Sequence, residues 1–367
     1  MTTSILLAGG GTTGHISPML AIGEELRQRL DGADVFALGT ADGLETSIVP
    51  AAGFELRTID KVPMPRRLTP GLLRFPKSFA GNIAAVRRII AERGVAAVVG
   101  VGGYVCPPAY LAAKQAKVPI IIHEANAKPG MANRLGAMLT KPGRVGVTFP
   151  DTTLRNSALV GMPMPAQIST LDRSDPGVRA AARSALGLRP DKPVLVVTGG
   201  SSGAQRINEA FEEAAAACQA AGIQVLHITG AGKGEALRQA TAELPDYHVV
   251  DYVDGMEKVY AAADLLVARS GAATVAETTV VGVPAIYVPL PIGNGEQRLN
   301  AASSAAAGGS QIVDNADFTA ATVTDVVLPL IADEARLTQM SRAARGLHYP
   351  TDAAATMADI TTAALRG

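Results

Sequence analysis

The chain has 367 residues, more than one hydrophobic core usually serves, so two domains of roughly 150–200 residues each are expected. With 48% hydrophobic and 18% charged residues, 38 Gly and 23 Pro, the composition fits a compact globular chain and excludes long disorder. Thirty-three basic residues balance thirty-three acidic ones, which disfavours a globally basic nucleic-acid binder. In chain order, Ile5–Ala8, Val35–Leu38, Ala97–Gly100 and Pro119–Ile122 read as buried strands of the first half. Val194–Thr198, Gln224–Ile228, His248–Val250, Leu265–Ala268 and Ala285–Val288 read the same way in the second. Ala-rich segments of helical period, such as Met19–Leu30 and Asn208–Ala220, lie between them, and the alternation predicts an α/β class with parallel sheets. Residues 161–193 are rich in Pro and charge and read as a linker, with a boundary near Gly161–Pro163. Cys106 and Cys218 offer no disulfide framework and read as reduced thiols of a cytosolic protein. No signal peptide and no membrane-spanning stretch are expected.

Two segments repeat one plan: ILLAGGGTTGH (5–15) and VLVVTGGSSGAQ (194–205) are each an apolar strand, a Gly-rich turn and a helix. Such a turn lets backbone N–H groups approach a phosphate, and the helix dipole adds to the attraction. Gly9, Gly11 and Gly14 match G-x-G-x-x-G, so a dinucleotide fold has to be weighed. That fingerprint needs an acid closing the next strand to hold a ribose, and here the strand ends in Gly39–Thr40 with Asp42 only later, which argues against it. The bland alternative is a turn that merely allows tight strand–helix packing. A third cluster, GVGGY (100–104), repeats the chemistry in the first half.

Polar groups collect just beyond strand C-termini, where doubly wound folds place ligands. His15 follows the first turn, and His123, Glu124 and Asn126 follow Pro119–Ile122. Arg269, Ser270, Gly271, Thr274 and Glu277 follow Leu265–Ala268, while Glu296, Gln297 and Asn300 lie beyond the next strand. No D-x-D pair occurs and no His or Cys spacing fits zinc, so no protein-held metal is expected.

Taken together, GGGTTGHISP (9–18), GVGGY (100–104), HEANAKPGMANR (123–134), GGSSGAQ (199–205), RSGAATVAE (269–277) and GNGEQRLN (293–300) resemble the MurG family of peptidoglycan glycosyltransferases. The resemblance implies the glycosyltransferase B fold, two Rossmann-like domains facing a cleft. Its N-terminal domain, 1–162 with a returning helix at 348–367, would take the lipid acceptor. Its C-terminal domain, 163–347, would take the donor. It implies inverting, metal-independent transfer of N-acetylglucosamine from UDP-GlcNAc to a lipid-linked muramyl-pentapeptide, with no cofactor. Carried over, the pattern puts Thr12, Thr13, Gly14, His15 and Ser201 nearest the pyrophosphate and reacting centre. It gives Asn126 a contact to the donor sugar, Val253 one to uracil, Ala272, Ala273, Thr274 and Glu277 the phosphate and ribose, and Glu296, Gln297 and Asn300 the sugar pocket. The chain departs from the family pattern at Thr13, Pro165, Gln205 and Glu296, with Arg206 next to Gln205.

The chemistry can also be read without the family. Sugar transfer from a nucleotide needs a base for the acceptor hydroxyl and stabilisation of the departing diphosphate. His15 is a reasonable base, with Glu124 or Asn126 orienting it or the substrate, and turn amides with the dipole of the Thr274 helix would offset the leaving charge. Glu277, acceptor-only when ionised, suits two ribose hydroxyls; otherwise it is a solvated helix acid. The rivals are a UDP-sugar epimerase or natural-product glycosyltransferase of the same architecture, and a non-enzymatic nucleotide-sugar binder.

One segment points to a surface. Over 61–91 stand Lys61, Arg66, Arg67, Arg74, Lys77, Arg87 and Arg88, interleaved with Leu68, Leu72, Leu73, Phe75, Phe79 and Ile83. Four prolines predict a loop followed by a helix from about Lys77. Basic and apolar groups together suit an anionic membrane surface, with contacts at Arg66, Arg67, Leu72, Leu73, Arg74, Phe75, Lys77 and Phe79. A peripheral protein on the cytoplasmic side of the cell membrane is the expectation; an ordinary basic loop is the alternative.

Overall fold

A computed structural model describes residues 3–62, 75–200, 203–292 and 294–366. The chain divides into two compact units, Met1–Met164 with Pro350–Gly367, and Pro165–Tyr349. The first holds a seven-stranded parallel sheet of β1 (Ser4–Gly9), β2 (Asp34–Thr40), β3 (Leu56–Ile59), β4 (Val95–Gly102), β5 (Ile120–Glu124), β6 (Val145–Val147) and β7 (Ser157–Leu159). Its order is β3-β2-β1-β4-β5-β6-β7. Every residue of β1 is buried because helices cover both faces: Leu6 and Ala8 enter one core, Ile5 and Leu7 the other. That two-sided burial is why its sequence is a continuous apolar run rather than an alternation.

The second unit repeats the plan with β8 (Val194–Thr198), β9 (Gln224–Ile228), β10 (Tyr247–Val250), β11 (Leu265–Ala268), β12 (Ala285–Tyr287) and β13 (Ser310–Ile312), in the order β10-β9-β8-β11-β12-β13. In both sheets the order of the strands reverses beside the first strand, between β1 and β4 and between β8 and β11, which is where open α/β sheets leave a crevice.

Several expectations need correcting. The 161–193 stretch is folded, not a linker: it carries the helices Ala166–Ser169 and Pro176–Ala185. Its charges are structural, since Arg173 is buried against the Gly282 and Ala263 carbonyls and Arg179 and Arg183 pair with Asp264. The helix expected over Asn208–Ala220 is two, Gln205–Glu213 and Ala215–Ala220, with Ala214 between them. The strands β3 (LRTI), β6 (VGV), β7 (SAL) and β13 (SQI) are short and broken by polar residues or glycine, so they form no readable apolar run. The closing helix Ala353–Leu365 packs Met357 and Ala358 into the first unit's core beside Ile16 and Ile22, and Asp359 pairs with Arg29.

Candidate active site

The helix after β1 spans Thr13–Arg29, starting earlier than its sequence period indicates, so His15 lies in its first turn. Gly11 (φ +86°) reaches a conformation that side chains resist, and β4 approaches from the other side. A Cβ on Gly103 would stand 2.7 Å from the Gly10 carbonyl oxygen. His15 Nδ1 lies 3.1 Å from that same carbonyl and 3.4 Å from Thr12 Oγ1. A carbonyl only accepts, so the Nδ1 contact requires its proton there and leaves Nε2 with a lone pair.

The sequence reading missed the group that closes this turn. Glu45, on the helix Glu45–Ala51 after β2, is fully buried. Its Oε2 accepts the Gly11 N–H at 3.0 Å, and its Oε1 accepts the Thr40 N–H and hydroxyl, each at 2.8 Å. Burial pushes the carboxyl up, but the bonds from Gly11 and Thr40 together hold it below its ordinary value. The signal was present: Glu45 follows the very strand end searched for a ribose acid. Its carboxylate turns back onto the glycine turn at the end of β1, so it is not a free acid beyond β2. A cavity of about 340 Å³ opens beside it, lined by Gly10, Gly11, Thr40, Asp42, Lys61 and Tyr104 among others.

The HEAN segment forms a second built structure. Glu124 ends β5 and is buried; Oε1 accepts the N–H of Asn126 at 2.9 Å and its side-chain amide at 3.4 Å. Oε2 accepts from Gly130 N–H and Asn133 Nδ2, each at 3.0 Å, and Tyr110 donates to Asn133 Oδ1. With both oxygens so engaged, Glu124 holds Asn126 in place and makes no hydrogen bond to His15 among the described residues, so the orienting role expected of it falls on Asn126 and not on the histidine. His123 is a core residue, its Nε2 on the Gly161 carbonyl at 2.9 Å and its pKa pushed down to about 4 by burial.

In the second unit, the helix Ala272–Val281 starts at Gly271 with no side-chain cap and no acid in its first turn. Such a start leaves N–H groups without partners inside the helix, a ready site for an anion. Nearby, Ser270 Oγ and Arg269 Nε are buried without a hydrogen-bond partner among the described residues. Glu277 is half-buried on the same helix and accepts from the Tyr260 hydroxyl at 2.7 Å. Burial pushes its carboxyl up to about 7 although the Tyr260 bond pulls it down. Asn300 is fully buried and donates to the Ser270 carbonyl at 3.3 Å, so it holds the turn rather than lining an open pocket. Glu296 and Gln297 accept the Asn294 and Leu290 N–H groups, and half-buried Val253 lies in the loop after β10.

Comparison with known proteins decides what this arrangement belongs to. The glycosyltransferase family 28 N-terminal domain matches residues 5–141 and the family 28 C-terminal domain residues 194–360. A protein of Paenarthrobacter aurescens named UDP-N-acetylglucosamine–N-acetylmuramyl-(pentapeptide) pyrophosphoryl-undecaprenol N-acetylglucosamine transferase is 51% identical over 94% of this chain and 92% of its own. Proteins of the same name from Clavibacter michiganensis and Mycolicibacterium smegmatis are 50% and 47% identical over 98% and 97% of the chain, and over 95% and 93% of their own. The chain belongs to glycosyltransferase family 28, in its MurG group. The crystal structure of MurG from Acinetobacter baumannii has a TM-score of 0.78 at 28% identity, over 99% of this chain and 100% of its own. A calicheamicin glycosyltransferase at 18% identity, with a TM-score of 0.67 over 100% and 99%, shares the fold.

Two of the chain's departures from the family pattern, Gln205 and Pro165, have local accounts. Gln205 is exposed and bonds Glu209, Arg206 donates to the Ala316 carbonyl, and Pro165 starts the helix Ala166–Ser169. Ser201 and five of the expected membrane contacts, Arg66, Arg67, Leu72, Leu73 and Arg74, lie outside the described residues. The helix expected from Lys77 spans Phe75–Arg93; Lys77 is exposed, and half-buried Phe75 and Phe79 stack at 5.3 Å. Among the described residues, no helix is long and apolar enough to cross a membrane, and no group of three or more His, Cys, Asp or Glu is placed to hold a metal.

Proposed function

We propose that this protein transfers N-acetylglucosamine from UDP-GlcNAc to a hydroxyl of a lipid-linked muramyl-pentapeptide, the step that completes the disaccharide of the peptidoglycan precursor. The observation that carries this reading is the identity of about half the residues, over more than nine-tenths of the chain, to enzymes of that name. The acceptor oxygen forms a bond to the anomeric carbon as the bond to UDP breaks, inverting that centre. His15 Nε2 takes the acceptor proton, its Nδ1 proton being held on the Gly10 carbonyl. Asn126, set by Glu124, contacts the donor sugar.

The leaving diphosphate carries new negative charge. The N–H groups of Ala272, Ala273 and Thr274 with the helix dipole offset it, aided by Thr12, Thr13, Gly14 and Ser201, with no protein-held metal in the scheme. Glu277 takes the ribose hydroxyls, Val253 the uracil, and Glu296 and Gln297 the sugar side of the pocket, with Asn300 fixing the turn beneath. The stretch from Arg66 to Phe79 rests on the anionic cytoplasmic face of the membrane, where a lipid-linked acceptor resides.

The test is to incubate the purified chain with UDP-GlcNAc, with and without the lipid-linked muramyl acceptor, and to assay UDP. Release that requires the acceptor is expected. Interconversion of the sugar nucleotide without acceptor would mean an epimerase, and binding without turnover a non-catalytic carrier.

A further inference from the structure

We propose that Glu45 is a positioning residue for His15, acting through the single peptide bond between Gly10 and Gly11. The inference rests on the reading of His15 as the acceptor base. The N–H of that peptide belongs to Gly11 and donates to Glu45 Oε2 at 3.0 Å; its C=O belongs to Gly10 and faces His15 Nδ1 at 3.1 Å. Carboxylate, peptide and imidazole therefore stand in a row, and one rigid amide plane transmits the orientation of the first to the last.

Two physical effects run along this row. Glycine on both sides leaves the peptide little steric restraint against rotation, and Gly11 already sits at φ +86°. The buried carboxylate, itself fixed by two bonds from Thr40, supplies the missing restraint. Withdrawal of the N–H by an anion also shifts electron density onto the carbonyl oxygen, which strengthens its hold on the Nδ1 proton. Thr12 Oγ1, at 3.4 Å from the same nitrogen, competes weakly because a hydroxyl serves either tautomer. The outcome is an imidazole whose Nε2 lone pair is kept for the acceptor.

The socket is built for the carboxylate. A Cβ on Gly10, Gly39 or Gly43 would come within 2.6, 2.5 and 2.0 Å of the Glu45 side chain. Glutamine in place of Glu45 would put an –NH2 among three donors, and at least one bond would be lost. Gly43→Ala would displace the carboxylate while leaving it chemically intact.

The test uses the full chain labelled with 15N-histidine, the His15 signals assigned by their loss in His15→Ala. In wild type the ring proton is expected on Nδ1. In Glu45→Gln and in Gly43→Ala it should move toward Nε2. Turnover should fall by about ten- to a hundredfold while the UDP-GlcNAc Kd stays within about threefold. A wild-type proton on Nε2 would overturn the proposal even if neither variant folds. So would folded variants with the wild-type tautomer and turnover. Should His15→Ala keep full turnover, the base reading falls, and the tautomer comparison then decides the Glu45 relay by itself.

Discussion

The helices Thr13–Arg29 after β1 and Ala272–Val281 after β11 both begin with neither a side-chain cap nor an acid in the first turn, but in the glycine turn before the first the Gly11 amide already has an acceptor, the Glu45 carboxylate. Both places are strand, glycine turn and helix, at the switch point of sheets with the same strand order. The first has its glycine turn tied to a buried acid and uses that turn to hold a histidine. The second instead has buried Ser270 and Arg269 atoms beside it that lack partners among the described residues. A glycine turn is thus not a phosphate site by virtue of its glycines. What decides is whether the protein has already supplied the acceptor.

Breaking each half should give opposite kinetic signatures. His15→Ala should lower turnover by about 10²–10⁴-fold with UDP-GlcNAc affinity within a few fold, since a base contributes only in the transition state. Affinity falling alongside turnover would instead make His15 a support of a phosphate turn. Glu277→Ala should cost about ten- to a hundredfold in UDP affinity by calorimetry, the loss of hydrogen bonds to a charged acceptor. Unchanged affinity in a folded variant would remove Glu277 from the donor site.

Two smaller effects sharpen the contrast. Changing Arg66, Arg67, Arg74 and Lys77 of the first unit to Glu should reduce sedimentation with anionic liposomes by about tenfold, in a salt-dependent way, and leave neutral liposomes unaffected. Equal pelleting of both proteins would place the membrane contact elsewhere. The second effect is a dependence on pH. Because burial raises the Glu277 carboxyl to about 7, the folded state favours its neutral form. Its contribution to stability is therefore complete below the ordinary carboxylate range and is lost as pH rises through 7. Melting temperature should fall from pH 5.5 to 8 relative to Glu277→Gln, while UDP-GlcNAc affinity rises a few fold as the acceptor ionises. Parallel curves for the two proteins would contradict the titration.

Much of this organisation was legible in the chain. The bounds of β8, β9 and β11 coincide with their apolar runs because strands buried on both faces cannot hide among polar residues. The short strands β6, β7 and β13 leave no such trace. The polar positions beyond strand ends were found by topology alone, but their orientation was not. Glu124 and Asn300 stand where ligand groups are expected, yet Glu124 is engaged by the segment that follows it, through Asn133, and Asn300 by the turn after β11, through Ser270. Glu45 escaped because its partners, Gly11 and Thr40, come from two different turns.

The measurement that bears most directly on the division between the two turns is an amide chemical-shift titration of the 15N-labelled protein with UDP. The Ala272, Ala273 and Thr274 amides should move strongly and saturably. The Gly11 amide, already donated to Glu45, should move several-fold less. A Gly11 shift as large as theirs, or helix-start amides that stay still while UDP binds, would contradict the account.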